Sequence, residues 1–364
     1  MKKLIFTVTN DLNFDQRMIR ICTSLAGAGY TVTLVGTKNH RSAPLQQKKY
    51  HQKRISPLFG KGPGFYAVYN LRLFFYLLFK RSDAICSIDL DTVLPVWLAA
   101  RLKNTTGVYD AHEYFTQQKE VITRPGIYKV WHWIEKKMVP RFRNGYTVSK
   151  SIAVEFNKLY GVNYEVIRNL PLLKTIAAAA PAKERIILYQ GAVNEARGLE
   201  FLIPAMKGVD ATLVIYGDGN FMEQTKELIK ANNLAAKVLL KGRVLPEELD
   251  MLTAKAYIGI NLVEQVGLNQ YYSLANKFFD YIHHGLPQLT MNFPEYKMVN
   301  DEFEVAVLID DLKEETIAGA LNRLLNDGEL YERLQQNCLK AREGFNWEKE
   351  EKRLIAFYNN IFDR

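Results

Sequence analysis

The stretch Ile186-Ile187-Leu188-Tyr189-Gln190-Gly191-Ala192-Val193-Asn194-Glu195-Ala196-Arg197-Gly198-Leu199-Glu200 changes character twice within fifteen residues. Ile186–Tyr189 is a continuous apolar run, the pattern of a strand covered on both faces. Gly191 ends it, a polar loop follows, and Arg197-Gly198 opens a helical pattern over 198–206. Downstream the same rhythm repeats. Strands are expected at Ala211–Tyr216, Val238–Lys241, Ile258–Leu262, Gln288–Thr290 and Val305–Ile309, with helices near 220–232, 246–254 and 275–284 between them. The chain closes with helical segments at Leu312–Asn326, Leu330–Glu343 and Trp347–Phe362.

Upstream there is a second series of the same kind. Strand patterns at Leu4–Thr9, Thr31–Val35, Ala84–Ser87, Gly107–Tyr109, Gly145–Val148 and Tyr164–Ile167 alternate with helices that include Gln16–Leu25, Thr92–Leu102, Ile127–Pro140 and Ser151–Leu159. Two successive strand–helix series predict an α/β protein of two doubly wound, Rossmann-like domains, over 1–172 and 182–348. The segment Pro171–Pro181 carries four consecutive alanines and no amphipathic period, so it reads as the connection.

Charge divides at the same place. Residues 1–170 hold 26 Lys and Arg against 11 Asp and Glu, whereas 171–364 hold 22 against 28. The basic half is therefore expected to meet something anionic: a membrane surface, nucleic acid or a phosphorylated substrate. No nucleic-acid recognition motif accompanies the charge, which argues against that partner. Cys22, Cys86 and Cys338 are widely spaced and form no C-x-x-C, the usage of a reduced, cytoplasmic compartment. The apolar start Leu4–Thr9 is too short for a signal peptide and reads as a buried strand. Gly64–Phe79 is sixteen residues long with Arg72 inside it, flanked by Lys61 and Lys80-Arg81, too short to span a bilayer. It is either a buried helix or one lying at a membrane interface.

Several chemistries are disfavoured. The loop after Leu4–Thr9, Asn10-Asp11-Leu12-Asn13-Phe14-Asp15-Gln16-Arg17, has no glycine, so the G-x-G-x-x-G dinucleotide fingerprint is missing. No Walker-type loop and no G-x-S-x-G elbow occurs. The six histidines, His40, His51, His112, His132, His283 and His284, form no metal-binding spacing, so no metal is expected. An anion site is the remaining possibility. Where the strand ends at Gly191, free loop amides and Arg197 would converge on a diphosphate, although an ordinary strand-to-helix turn fits the same residues. On a helix starting near Leu274, Lys277 and Asp280 share a face, suited to a phosphate and a ribose diol, or else to a surface ion pair.

These segments resemble glycosyltransferase family 4, retaining sugar-nucleotide enzymes of GT-B fold. Gln190-Gly191 with Arg197-Gly198, then Tyr216-Gly217-Asp218-Gly219, Leu240-Lys241-Gly242-Arg243-Val244 with Pro246-Glu247-Glu248-Leu249, and Asp280…Gly285-Leu286-Pro287 fall in the family's order. In the first half Tyr109-Asp110-Ala111-His112-Glu113, Val148-Ser149-Lys150-Ser151 and Val166-Ile167-Arg168-Asn169 look like its matching segments. The resemblance implies two domains facing across a cleft, with a closing helix at about 349–364 that returns to the first. It implies metal-free transfer of a sugar from a nucleotide diphosphate donor, UDP- or GDP-linked, to a glycan or lipid-linked acceptor in cell-surface polysaccharide or glycoconjugate assembly.

By the same resemblance Arg197 and Lys277 would stabilise the leaving diphosphate and His112 would contact the transferred sugar. Gly191, Ala192, Gly217, Ser273, Leu274, Ala275, Asn276 and Asp280 would form the donor site, and Asp15 and Arg17 an acceptor-side loop. The sequence departs from the family at Ala192, where it has an arginine, at Arg197, where it has a lysine, and at Tyr272, where the first glutamate of a spaced pair should stand. A nucleotide-sugar epimerase of the same fold, or a non-catalytic nucleotide-sugar-binding protein, shares these features.

A last expectation concerns Arg124–Arg143, where aromatics alternate with basic residues. On a helix Ile127, Trp131, Ile134 and Met138 form one apolar stripe while Lys129, Lys136 and Lys137 face elsewhere. That basic face is either solvated or set against anionic headgroups, as peripheral attachment to the inner face of the cell membrane would require.

Overall fold

The computed structural model describes residues 1–13, 15–38, 42–60, 62–173 and 185–363. Most of the Pro171–Pro181 connection, with Phe14, His40 and Lys61, lies outside the described residues. The chain divides into two units, residues 1–169 with 350–364, and residues 170–349.

The first unit is built on a seven-stranded parallel sheet of order β3-β2-β1-β4-β5-β6-β7. Its strands are β1 (Lys3–Thr7), β2 (Thr31–Thr37), β3 (His51–Ile55), β4 (Ala84–Ile88), β5 (Thr106–Ala111), β6 (Asn144–Thr147) and β7 (Glu165–Val166). The central strands are buried on both faces, which is why their sequences are unbroken apolar runs. Strand β3, His-Gln-Lys-Arg-Ile, was not foreseen. It occupies the sheet edge with alternate residues in solvent, and its polar composition gives no strand period.

Six helices connect these strands: α1 (Gln16–Gly27), α2 (Pro63–Phe79), α3 (Val93–Lys103), α4 (Lys119–Ile122), α5 (Pro125–Met138) and α6 (Lys150–Tyr160). Right-handed crossovers in this strand order put α2, α3, α5 and α6 on one face of the sheet and α1 on the other. The α1 face is completed by the chain's last helix (Trp347–Phe362), whose Tyr358 packs edge-on to Phe6 and Tyr30, and whose Phe357 packs against Tyr146.

The Gly64–Phe79 segment is not buried all round. Helix α2 buries only Tyr69, Leu73 and Leu77, one row at i, i+4 spacing. The expected stripe on α5 also shifts. Ile134 and Met138 are buried and Trp131 packs against Tyr66 and Phe115, but Ile127 is 40% exposed.

The second unit has a six-stranded parallel sheet of order β10-β9-β8-β11-β12-β13. Here β8 is Ile186–Gln190, β9 Thr212–Tyr216, β10 Val238–Gly242, β11 Ile258–Asn261, β12 Gln288–Met291 and β13 Ala306–Ile309. The covering helices are α7 (Leu199–Ala205), α8 (Met222–Ala231), α9 (Pro246–Lys255), α10 (Gly267–Tyr271), α11 (Asn276–His283), α12 (Pro294–Phe303), α13 (Glu314–Asn326) and α14 (Gly328–Ala341). With Trp347–Phe362 as α15, the helix order is complete. A continuous core of Leu, Ile, Val and Phe from β8, β9, β11, α7, α11, α13 and α14 holds the layers together.

Candidate functional site

In the second unit the C-terminal ends of β8 and β9 form a locked pair of loops. Gly191 N–H donates to Tyr216 O at 3.0 Å, Gly217 N–H to Gly242 O at 2.8 Å, and Val193 N–H to Asp218 O at 3.1 Å. Gly217 has φ +155°, and a Cβ there would stand 1.8 Å from Gly191 O. Only glycine lets these two backbones approach so closely.

The loop does not present the open row of amides expected after Gly191. Besides Gly191 and Val193, Glu195 N–H donates to Asn220 Oδ1 and Ala196 N–H to Glu200 Oε1. These groups hold the loop's shape, because a tight turn packed on its neighbour consumes its own donors. Ala192 is exposed and its carbonyl accepts the Tyr189 hydroxyl at 2.7 Å.

What the loop does bring together is positive charge. Lys277, in the first turn of α11, extends its ammonium over the Tyr189 ring, 3.8 Å from the centroid. Its Nζ is buried and has no hydrogen-bond partner among the described residues. Burial, and then the charge of neighbouring Arg197, pull its pKa down to about 7. A buried ammonium beside a guanidinium is costly unless an anion joins them.

Asp280 lies one turn further along α11, and its Oδ2 accepts from Gln190 Nε2 at 3.0 Å. Gln190 is itself held by Thr253, whose hydroxyl donates to its Oε1 at 2.9 Å. Lys277 and Asp280 therefore do not pair with each other as a surface ion pair. The carboxylate is anchored to β8 and the ammonium to the Tyr189 ring. In this unit Gln190 and Tyr189, at the end of β8, are site components that sequence reasoning did not single out. Their place at a strand's C-terminal end is the signal that would have found them.

The helix expected to begin near Leu274 begins at Asn276. Ser273 donates its hydroxyl to Gln270 O at 2.8 Å, and Ala275 N–H donates to the Tyr296 hydroxyl at 3.1 Å. Leu274 is partly buried against the core. Asn276 is exposed at the N-terminus of α11. His283 and His284 diverge: His283 Nε2 meets Phe345 O, and His284 Nε2 lies 2.9 Å from Asp250.

In the first unit His112 follows β5, with its Nδ1 3.9 Å from Asp89 Oδ2. Asp89 has φ +51° and accepts the Glu113 amide at 3.0 Å. Burial pushes the Asp89 carboxyl well above the usual range, helped by Glu113, Asp91 and Asp110. Burial likewise raises Asp91 to about 6, although the Thr9 hydroxyl donates to it at 3.0 Å. Asp89 and Asp91 were missed in the sequence. Their position after β4, at the sheet's C-terminal edge, was the available signal.

The expected acceptor-side pair is occupied otherwise. Arg17 is buried and forks onto Asp110, with NH2 2.9 Å from Oδ1 and Nε 3.4 Å from Oδ2, while NH1 donates to Ile167 O. Asp15 caps α1, its Oδ1 accepting Met18 N–H at 3.0 Å, and its Oδ2 accepts from Asn10. Each side chain thus serves the first unit's fold, because a buried guanidinium needs a carboxylate and a helix start needs an acceptor. Among the described residues no cluster of three or more His, Cys, Asp or Glu side chains is arranged to hold a metal ion.

Two parallel α/β sheets of this order define the GT-B architecture of glycosyltransferases, and comparison with solved structures agrees. Sucrose-phosphate synthase from Thermosynechococcus elongatus superposes with a TM-score of 0.85 at 16% identity over 100% of both chains. Anabaena Alr3699/HepE in complex with UDP-glucose gives 0.79 at 12% identity, covering 99% of this chain and 100% of that one. WaaG, a glycosyltransferase involved in lipopolysaccharide biosynthesis, gives 0.74 at 14%, over 97% and 98%. Residues 176–341, which fall within the second unit's span, match the family described as glycosyl transferases group 1. Alpha-D-kanosaminyltransferase of Streptomyces kanamyceticus is 26% identical over 159 residues. That match spans 42% of this chain and 39% of the relative.

Proposed function

We infer that the protein is a retaining glycosyltransferase of family 4 type that moves a sugar from a nucleoside diphosphate donor to a glycan or lipid-linked acceptor. The observation that carries this is the buried Lys277 ammonium, without a hydrogen-bond partner among the described residues and beside Arg197, over Tyr189 of β8 in the segment that matches glycosyl transferases group 1. Two cations held together in a dry setting suit a diphosphate, and their attraction grows as charge develops on it when the glycosidic bond breaks. In this reading Arg197 and Lys277 meet the leaving group's charge, without a bound cation. Asp280, fixed by Gln190, accepts hydrogen bonds from the ribose hydroxyls, and Gly191 and Gly217 give the nucleotide close access to backbone. The structural neighbour HepE was solved with UDP and UDP-glucose, which favours a uridine donor among the candidates.

His112 would approach the transferred sugar, with Asp89 fixing its ring. Retention follows if the acceptor hydroxyl attacks from the side the diphosphate leaves, the leaving oxygen taking up its proton. The test is a thermal-shift panel of UDP- and GDP-sugars followed by incubation with the stabilising donor, with and without acceptor glycans. A glycoside product of unchanged anomeric configuration is expected. A new free nucleotide sugar from donor alone would instead identify an epimerase, and stabilisation with no product under any acceptor would identify a binding protein.

A further inference from the structure

We propose that the outer face of the first unit's helical layer docks on an anionic lipid bilayer. Helices α2, α3 and α5 lie side by side in this layer, α2 against α3, with the Trp131 ring of α5 5.3 Å from Tyr66 of α2. Their solvent sides carry large apolar side chains. Leu71, Phe75 and Phe79 continue along α2 at i, i+4 spacing, opposite its buried row, and Phe79 is 81% exposed. Leu102 on α3 is 66% exposed, and Val130 and Trp133 on α5 are each 58% exposed. Rows of exposed large apolar side chains on neighbouring helices of one layer mark a partner surface.

The charge around it selects the partner. Helices α2 and α3 contain no acidic residue, and the one acid of α5, Glu135, is buried and accepts the Tyr160 hydroxyl. Arg72, Arg101, Lys129, Lys136, Lys137 and Arg141 edge the apolar rows. Arg101 and Arg141 stack on Trp97, 5.6 and 5.3 Å from its ring, so the cations stand beside apolar surface.

At the C-terminal end of α2 a cavity of about 600 Å³ opens towards β3, lined by His51, Lys53, Tyr76, Lys80 and Arg81 and by no carboxylate. This is the size and charge of a phosphate-bearing headgroup site. Apolar rows that enter the acyl boundary, rimmed by cations at headgroup level, fit a bilayer surface better than an acidic protein, which would leave the Phe and Trp side chains unmatched. No helix among the described residues is long and apolar enough to cross a membrane, so the layer lies on the surface.

The experiment is co-sedimentation of the full chain with neutral phosphatidylcholine vesicles and with vesicles carrying roughly 30% phosphatidylglycerol, at low and high salt. Binding at least tenfold stronger to the anionic vesicles and weakened by salt is expected. Phe75→Ser with Phe79→Ser, and separately Lys80→Glu with Arg81→Glu, should each weaken binding about tenfold or more, at roughly fivefold per charge. Lys226→Glu, on the exposed side of α8, should not. All five substitutions are at exposed positions, and unchanged circular dichroism melts confirm folding. Stabilisation by a nucleotide sugar should persist in the face variants, which separates this proposal from the donor assignment. Equal binding to neutral vesicles, full binding by both variants, or a dimer that the variants dissolve without any vesicle binding would overturn it.

Discussion

The two units share one plan and handle buried charge in opposite ways. In the first, the deeply buried cation Arg17 is paired bidentately with Asp110, and the partly exposed edge residues Asp89 and Asp91 carry raised carboxyls. In the second, the buried cation Lys277 has an aromatic ring and a like charge for neighbours. A satisfied pair fixes a fold. An unsatisfied one is a cost carried for a ligand. The surfaces differ as well: apolar rows rimmed by bases on the first unit, an ordinary mixed surface with acidic excess on the second.

The largest effect should come from breaking the satisfied pair. Arg17→Leu leaves Asp110 buried and unpaired, at a cost of about 3–5 kcal/mol. Tryptophan fluorescence in urea reads this mainly from the first unit, which holds three of the four tryptophans. The double substitution Arg17→Leu with Asp110→Leu should recover much of the loss. Equal losses in the single and double variants would show that the pair does not set stability.

The unsatisfied cation predicts the reverse pattern. Arg197→Ala should lower turnover about a hundredfold, as loss of a transition-state contact of about 3 kcal/mol does, while the melting temperature barely moves. Normal turnover would remove Arg197 from the chemistry.

Lys277 gives a pH signature. Its folded pKa of about 7 lies below the unfolded value of 10.5, so the unfolded chain binds more protons between them. The ligand-free protein should therefore gain stability as pH rises from about 7 towards 10.5, while donor affinity falls as the ammonium is lost. Lys277→Met should abolish both trends. Melts and donor titrations from pH 6 to 9 (roughly the span on either side of the group's pKa) check this. A donor affinity independent of pH would place Lys277 away from the phosphate.

The smallest effect belongs to the first unit's edge. His112→Ala should reduce kcat/KM about tenfold, the value of a single sugar hydrogen bond. Asp89→Asn should give a milder drop that falls mainly on kcat, since it repositions the ring without removing it. Unchanged kinetics in both would assign these residues to structure alone.

The sequence by itself determined the alternation of strands and helices, because strands buried on both faces must be apolar runs, and the two series, the change of charge sign and the glycine turns are local patterns. It was silent on β3, whose edge position frees it from apolar patterning, and it left α2 open between a buried helix and one lying at a membrane interface. Residue type and spacing also brought Arg197, Lys277 and Asp280 into view. Tertiary structure alone decided what each of them does, since burial and pairing depend on residues far along the chain. Arg17 meets Asp110 93 positions away and becomes structural. Asp280 meets Gln190 90 positions away and is fixed rather than paired with its helix neighbour. Lys277 lands on Tyr189 with no hydrogen-bond acceptor in reach among the described residues, and that desolvation, which no local window encodes, is what makes it a candidate for binding charge.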